Sequence, residues 1–127
     1  MQIFDPDGKY ITQWNNLYRP CGMHITGGPN PVCFVGQLLA HLNASKNFPN
    51  IGRRVTVHDL TGRQLAVLGD AEPGVGPTHI PAAHGIAADS RGDLYISEVS
   101  WSAVGSRMEP QQRGLPCLRK LIKVSGI

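Results

Sequence analysis

The sequence predicts an all-β chain organised as a partial β-propeller, with one complete four-stranded blade from Cys21 to Leu68 flanked by two partial blades. Three observations carry that expectation. Helical periodicity is nearly absent, and 15 Gly and 10 Pro among 127 residues favour short strands closed by turns. Four strand-like segments recur in the same order with a repeat of about 60 residues, the pattern of a blade made of one antiparallel sheet. Asp-x-x-Gly recurs at Asp5–Gly8, Asp59–Gly62 and Asp89–Gly92. Asp at the first position of a type I turn accepts backbone hydrogen bonds, and Gly at the fourth takes positive φ without steric cost.

The repeat is visible when the segments are set over one another. "IFDPDGKYITQW" (residues 3–14) matches "VHDLTGRQLAVL" (57–68), each reading strand, Asp-x-x-Gly, strand. "RPCGMHI" (19–25) matches "AAHGIAA" (82–88), with Gly22 on Gly85. "CFVGQL" (33–38) matches "LYISEV" (94–99), and "RRVTVHD" (53–59) matches "RKLIKVS" (119–125). Residues 1–14 therefore supply the outer half of one blade, in strands Gln2–Phe4 and Lys9–Trp14. Residues 19–68 supply a full blade, from inside outward Cys21–Ile25, Cys33–Leu38, Arg54–His58 and Arg63–Leu68. Residues 82–127 supply a partial blade, in strands His84–Ala88, Leu94–Glu98 and Arg119–Val124. So read, the chain begins inside one blade and stops before the last strand of another, whereas a six-bladed ring needs about 250–330 residues. The expectation is a segment of a larger ring or a piece completed by a partner; the plainer alternative is a small self-contained β-sheet protein.

Composition removes several classes. The apolar fraction of 41% is enough for a core, so disorder is not expected. No apolar run approaches the roughly 18–20 residues of a membrane span. The N-terminus has no basic segment followed by an apolar core, so no export signal is visible and the cytoplasm is expected if Met1 is the true start. Cys21, Cys33 and Cys117 have no CxxC spacing and are odd in number, which argues against a disulfide scaffold. The net charge of +3 is spread along the chain apart from Arg53-Arg54 and Arg119-Lys120, unlike the dense basic stripe of a nucleic-acid surface. "GDAEPGVGP" (69–77) has neither the Lys of a phosphate loop nor a following helix and reads as a connector.

"HGIAADSRGDLYISEV" (84–99), preceded by "VHDLTGRQLAVLG" (57–69), resembles the NHL repeat: an apolar strand, a D-x-x-G hairpin, then a strand ending in an acidic residue. "VCFVGQL" and "IFDPDGKYITQWN" follow it more loosely, and the likeness leaves out the loops at residues 39–52 and 100–118. Within that group, His-Gly-aliphatic ahead of a D-x-x-G hairpin is similar to the peptidyl-hydroxyglycine amidating lyases. The resemblance implies a six-bladed ring in which one inner-strand histidine from each of three blades holds zinc, and a backbone carbonyl two residues later holds calcium. By position, His84 becomes a zinc ligand and the Ile86 carbonyl a calcium ligand. Cys21 stands where the preceding blade has histidine; cysteine also binds zinc. The remaining ligands and the catalytic Tyr and Arg of that family have no counterpart in these residues.

Alternating strand direction places the starts of inner strands, the ends of second strands and both long loops at one face, here called upper. Cys21, His84, Gln37 and Glu98 are expected there, and the Asp-x-x-Gly turns at the lower face. Loops concentrated on one face of a rigid scaffold are where binding sites form, so a small-molecule or peptide ligand is expected there. Glu98 falls across the hairpin from His84, where a carboxylate can orient a metal-bound imidazole; the favoured reading is that it accepts hydrogen bonds from a neighbouring blade's backbone. His84 has a plain reading as a polar strand start, and Cys21 as a small buried filler. His24, His41, His58 and His79 lack ligand spacing and are expected in turns or at the surface. Trp14 and Trp101 are expected to cover blade faces or loops, and "GQLLAHLNASK" (36–46) to make one or two helical turns.

Two function classes follow. One is a metal-dependent lyase, or a hydrolase like the sugar-lactone propellers, with a divalent ion as Lewis acid at the channel mouth. The other is a non-catalytic platform that contacts protein or nucleic acid through Trp101, Arg107 and Arg113. One blade with two partial blades cannot close a three-ligand ring, so the isolated chain is not expected to turn over efficiently.

Overall fold

The computed structural model describes residues 1–40 and 42–124. Strands β1 (Gln2–Phe4) and β2 (Tyr10–Gln13) form a hairpin. Strands β3 (Pro20–Ile25), β4 (Cys33–Gln37), β5 (Arg54–His58) and β6 (Gln64–Leu68) form a four-stranded sheet in that order. Strands β7 (Ala83–Ala88), β8 (Leu94–Glu98) and β9 (Leu118–Leu121) form the third. Every pairing is antiparallel. The protein is thus all-β in three sheets, and the strands lie where the repeat put them, with ends moved by a few residues. The largest change is β9, expected over Arg119–Val124. It stops at Leu121, after which the Lys123 N–H turns to the Asp93 carboxylate at 3.1 Å.

The three Asp-x-x-Gly segments build the same hairpin turn. In each, the Gly N–H donates to the Asp carbonyl (3.0, 3.0 and 2.9 Å), and Gly8, Gly62 and Gly92 take φ of 81°, 92° and 85°. In each, the Asp Oδ1 accepts two backbone N–H groups, two and four residues on. At Asp59 the Thr61 hydroxyl also donates to Oδ1 (2.6 Å) and Arg63 pairs with Oδ2 (3.0 Å). The Thr61 hydroxyl, opposed by desolvation and helped by Arg63 and the two N–H groups, holds the Asp59 carboxyl down at about 2. A folded value below the unfolded 3.8 means that its contribution is complete above that pH and is lost as pH falls through about 2. Carbon-detected titration is expected to put the Asp59 midpoint near 2; a midpoint at the ordinary Asp value contradicts this turn.

The second sheet is covered on both faces, which is why all five residues of β4, CFVGQ, are buried. Alternation along the strands divides them. Phe34, Val55 and Val57 face the third sheet and pack with Ile80, Ala83, Leu94 and Ile96. Cys33 and Val35 face the first hairpin and lie under Trp14, with Met1, Ile3 and Leu17 beside them. His58 also lies on that side. Expected in a turn or at the surface, it is fully buried, its ring stacked on Trp14 at 5.5 Å and Nδ1 3.2 Å from the Gly62 carbonyl. The cause is the hairpin turn, which presses Gly62 against the indole and leaves His58 beneath it.

The two long loops depart from plain coil. Residues 100–118 hold a helical turn, α1 (Ser100–Ala103), and a 3-10 turn at Gly105–Arg107. In residues 42–47, Lys46 N–H bonds the Leu42 carbonyl at 2.8 Å, a single helical turn of hydrogen bonding. His41 lies outside the described residues, as does the end of the "RKLIKVS" match. Among the described residues no helix is long and apolar enough to cross a membrane.

Candidate functional site

The second and third sheets meet along their first strands. β3 lies against β7, and an isolated bridge joins Leu38 to Ala82. The approach is so close that a Cβ on Gly22 falls 2.2 Å from the His84 carbonyl oxygen and 2.8 Å from the Gly85 Cα. Only glycine fits there. This contact sets Cys21 and His84, the residues just ahead of the two glycines, at the same end of neighbouring strands.

Both strands are irregular at that end. In β3, Pro20 pairs with Gln37 and the next pair is Met23 with Val35, so Cys21 and Gly22 share the place opposite Gly36. In β7, Ala83 pairs with Glu98 and the next pair is Gly85 with Ser97, leaving His84 as an extra residue. Each is a β-bulge, a device that re-aims a side chain and tightens local twist. His84 is exposed as a result. Cys21 is half-buried, with Sγ 3.5 Å from the Arg19 carbonyl oxygen. Burial pushes the Cys21 thiol up, partly opposed by the Arg19 charge, so it is protonated at neutral pH.

The bulge changes the expected partner of Glu98. The residue opposite it is Ala83, and its side chain is fully buried, with Oε1 accepting the Ala82 N–H at 3.2 Å and Oε2 bonded to Arg119 Nε. Arg119 in turn reaches the Pro77 carbonyl at 3.5 Å. Glu98 therefore joins the lead into β7, the connector before it and β9, and its bonds go there rather than to His84. Ile86 sits mid-strand opposite Ile96, half-buried, its side chain against Gly36.

The loop residues singled out from the sequence mostly hold their own loop together. The Arg113 guanidinium lies 4.0 Å over the Trp101 ring, and Arg107 Nε donates to the Ser102 carbonyl at 3.3 Å. His79 is half-buried within the 70–81 connector, 3.6 Å from the Asp70 carboxylate. That carboxylate also accepts the Thr78 hydroxyl at 2.6 Å.

As a test of fit for zinc, His84 offers an accessible imidazole and Cys21 a thiol that must first lose a proton. Among the described residues no group of three or more His, Cys, Asp and Glu side chains stands close enough to hold a metal ion. Cys21 and His84 are thus two donor-bearing side chains at the same end of neighbouring strands, fewer than the three or four ligands of a zinc site. The bulges and the Glu98–Arg119 pair were not anticipated, although glycine directly after Cys21 and His84 at a strand start is the sequence sign of a bulge or a close backbone approach. No family model, no curated protein and no solved structure matches this chain.

Proposed function

We propose that the chain is an arc of an NHL-type β-propeller whose inner-strand starts line a ligand-binding mouth. The ring to which it belongs acts as a metal-dependent lyase of the peptidyl-hydroxyglycine amidating kind. The observation that carries this reading is the pair of bulges, one per sheet, at the same end of two first strands in contact at Gly22 and Gly85. A ring of sheets that repeats this arrangement brings one side chain per blade to a common axis.

In this reading His84 is a zinc ligand, held outward by the bulge, and Cys21 is the neighbouring position, a weaker donor until deprotonated. Zinc supplies Lewis acidity to a substrate oxygen at the mouth. Glu98 and Arg119 keep the start of β7 in place. Elemental analysis of purified protein, with and without His84→Ala, tests the assignment. Because His84 is exposed, the variant is expected to keep its circular dichroism and thermal midpoint while losing most of its bound zinc. Equal zinc in both proteins overturns the ligand role and favours a non-catalytic platform.

A further inference from the structure

The face of the second sheet turned toward the first hairpin has two halves of different chemistry. Its apolar half, Cys33 and Val35, is sealed by Trp14. Its polar half is covered less tightly, leaving a groove of about 350 Å³ between that face and the chain at residues 15–18, with Gln37 and Thr56 buried at its floor. The volume lies within the range of about 300–1,000 Å³ typical of small-ligand sites. The polar half is rigid: Gln37 Oε1 accepts the Tyr18 N–H at 2.8 Å, and Gln37 Nε2 donates to the Thr56 hydroxyl at 2.9 Å.

Five residues with carboxamides line this groove, Gln37, Asn15, Asn16, Asn50 and Gln64; the Gln37 amide is engaged with Tyr18 and Thr56, Asn16 Nδ2 donates to the Gly62 carbonyl at 3.4 Å, and Arg54 is the one charged side chain among the described residues that line the groove. The Arg54 Nε donates to the Gly52 carbonyl at 2.8 Å, which fixes the plane of the guanidinium, and no carboxylate lines the groove to neutralise it. Burial also pushes the Arg54 guanidinium below its ordinary value. A fixed, partly desolvated guanidinium matches a planar carboxylate through two parallel hydrogen bonds. Carboxamides both donate and accept, as hydroxyl groups do. Asn15 already accepts from Gln13 (2.7 Å), which leaves its N–H donors available. A phosphate dianion is the poorer match, since the described residues of the lining include no second cation.

We propose that this groove binds a small hydroxylated carboxylate of sugar-acid size, with Arg54 on the carboxylate and the surrounding carboxamides on the hydroxyl groups. The site is separate from the inner-strand mouth and does not depend on a metal there.

Heteronuclear NMR titration with glucuronate tests this, using glucose and inorganic phosphate as comparison probes. Glucuronate is expected to shift the Tyr18, Gln37 and Arg54 amides and to bind at least tenfold more tightly than glucose or phosphate. Arg54→Gln is expected to weaken it at least tenfold, and Gln64→Leu about threefold. Should Arg54→Gln fail to fold, Gln64→Leu at the exposed rim and the glucose comparison carry the test. Equal binding of glucose, tighter binding of phosphate, no glucuronate-dependent shift, or unchanged affinity in folded variants overturns the proposal.

Discussion

Replacing Gly22 with alanine is expected to destabilise the protein by about 3 kcal/mol or more, or to prevent folding. The added methyl meets three backbone atoms of β7: the His84 carbonyl oxygen at 2.2 Å, the Gly85 Cα at 2.8 Å and the Ile86 nitrogen at 2.9 Å. Backbone in a paired strand cannot rotate away as a side chain can, so β3 and β7 must separate. Gly36→Ala is the internal contrast. Its methyl meets the Ala83 Cβ at 3.3 Å and the Ile86 side chain at 3.4 Å, so the Ile86 side chain can adjust and β7 needs to give only a few tenths of an ångström at Ala83. That variant is expected to cost about 1 kcal/mol. Urea unfolding of the two variants measures the difference, and equal midpoints contradict the close contact of the two first strands.

The second large effect is expected at Arg119. Its guanidinium neutralises Glu98, whose side chain has no exposure to solvent. Arg119→Met leaves a buried carboxylate with one backbone N–H as partner and is expected to cost about 3–5 kcal/mol. Pairing it with Glu98→Met removes the uncompensated charge, so the double variant is expected to recover much of that loss. Thermal unfolding of the two single variants and the double one checks this. A double variant that loses the sum of the two single costs shows that the residues do not act as a pair.

The strands and hairpin turns were legible in the sequence because each depends on local chemistry. Asp59 caps its own turn, Gly62 supplies its own φ, and β4 and β5 alternate within a few residues. What escaped is set by contacts between distant segments. The register of β7 shifts at His84, where Gly85 comes against Gly22 of another sheet, and counting back from the Asp89 turn cannot reveal that. Glu98 and Arg119 belong to segments aligned separately in the repeat, so their pairing appears only when β9 lies beside β8. His58 has the composition of a strand end, yet it is buried because Trp14 returns from the first hairpin to cover it. The candidate site inherits this division: the place of His84 and Cys21 at strand starts was readable, while the bulges at both positions and the exposure of His84 were not.

β3 and β7 are neighbouring first strands whose contact brings Cys21 and His84 to the same strand end. The most direct measurement is the nuclear Overhauser contact between the Hα protons of Gly22 and Gly85. A strong cross-peak is expected, comparable with those across paired strands within each sheet. Its absence, in a spectrum that shows the cross-strand contacts of Met23 with Val35 and of Ile86 with Ile96, would contradict the juxtaposition and the site built on it.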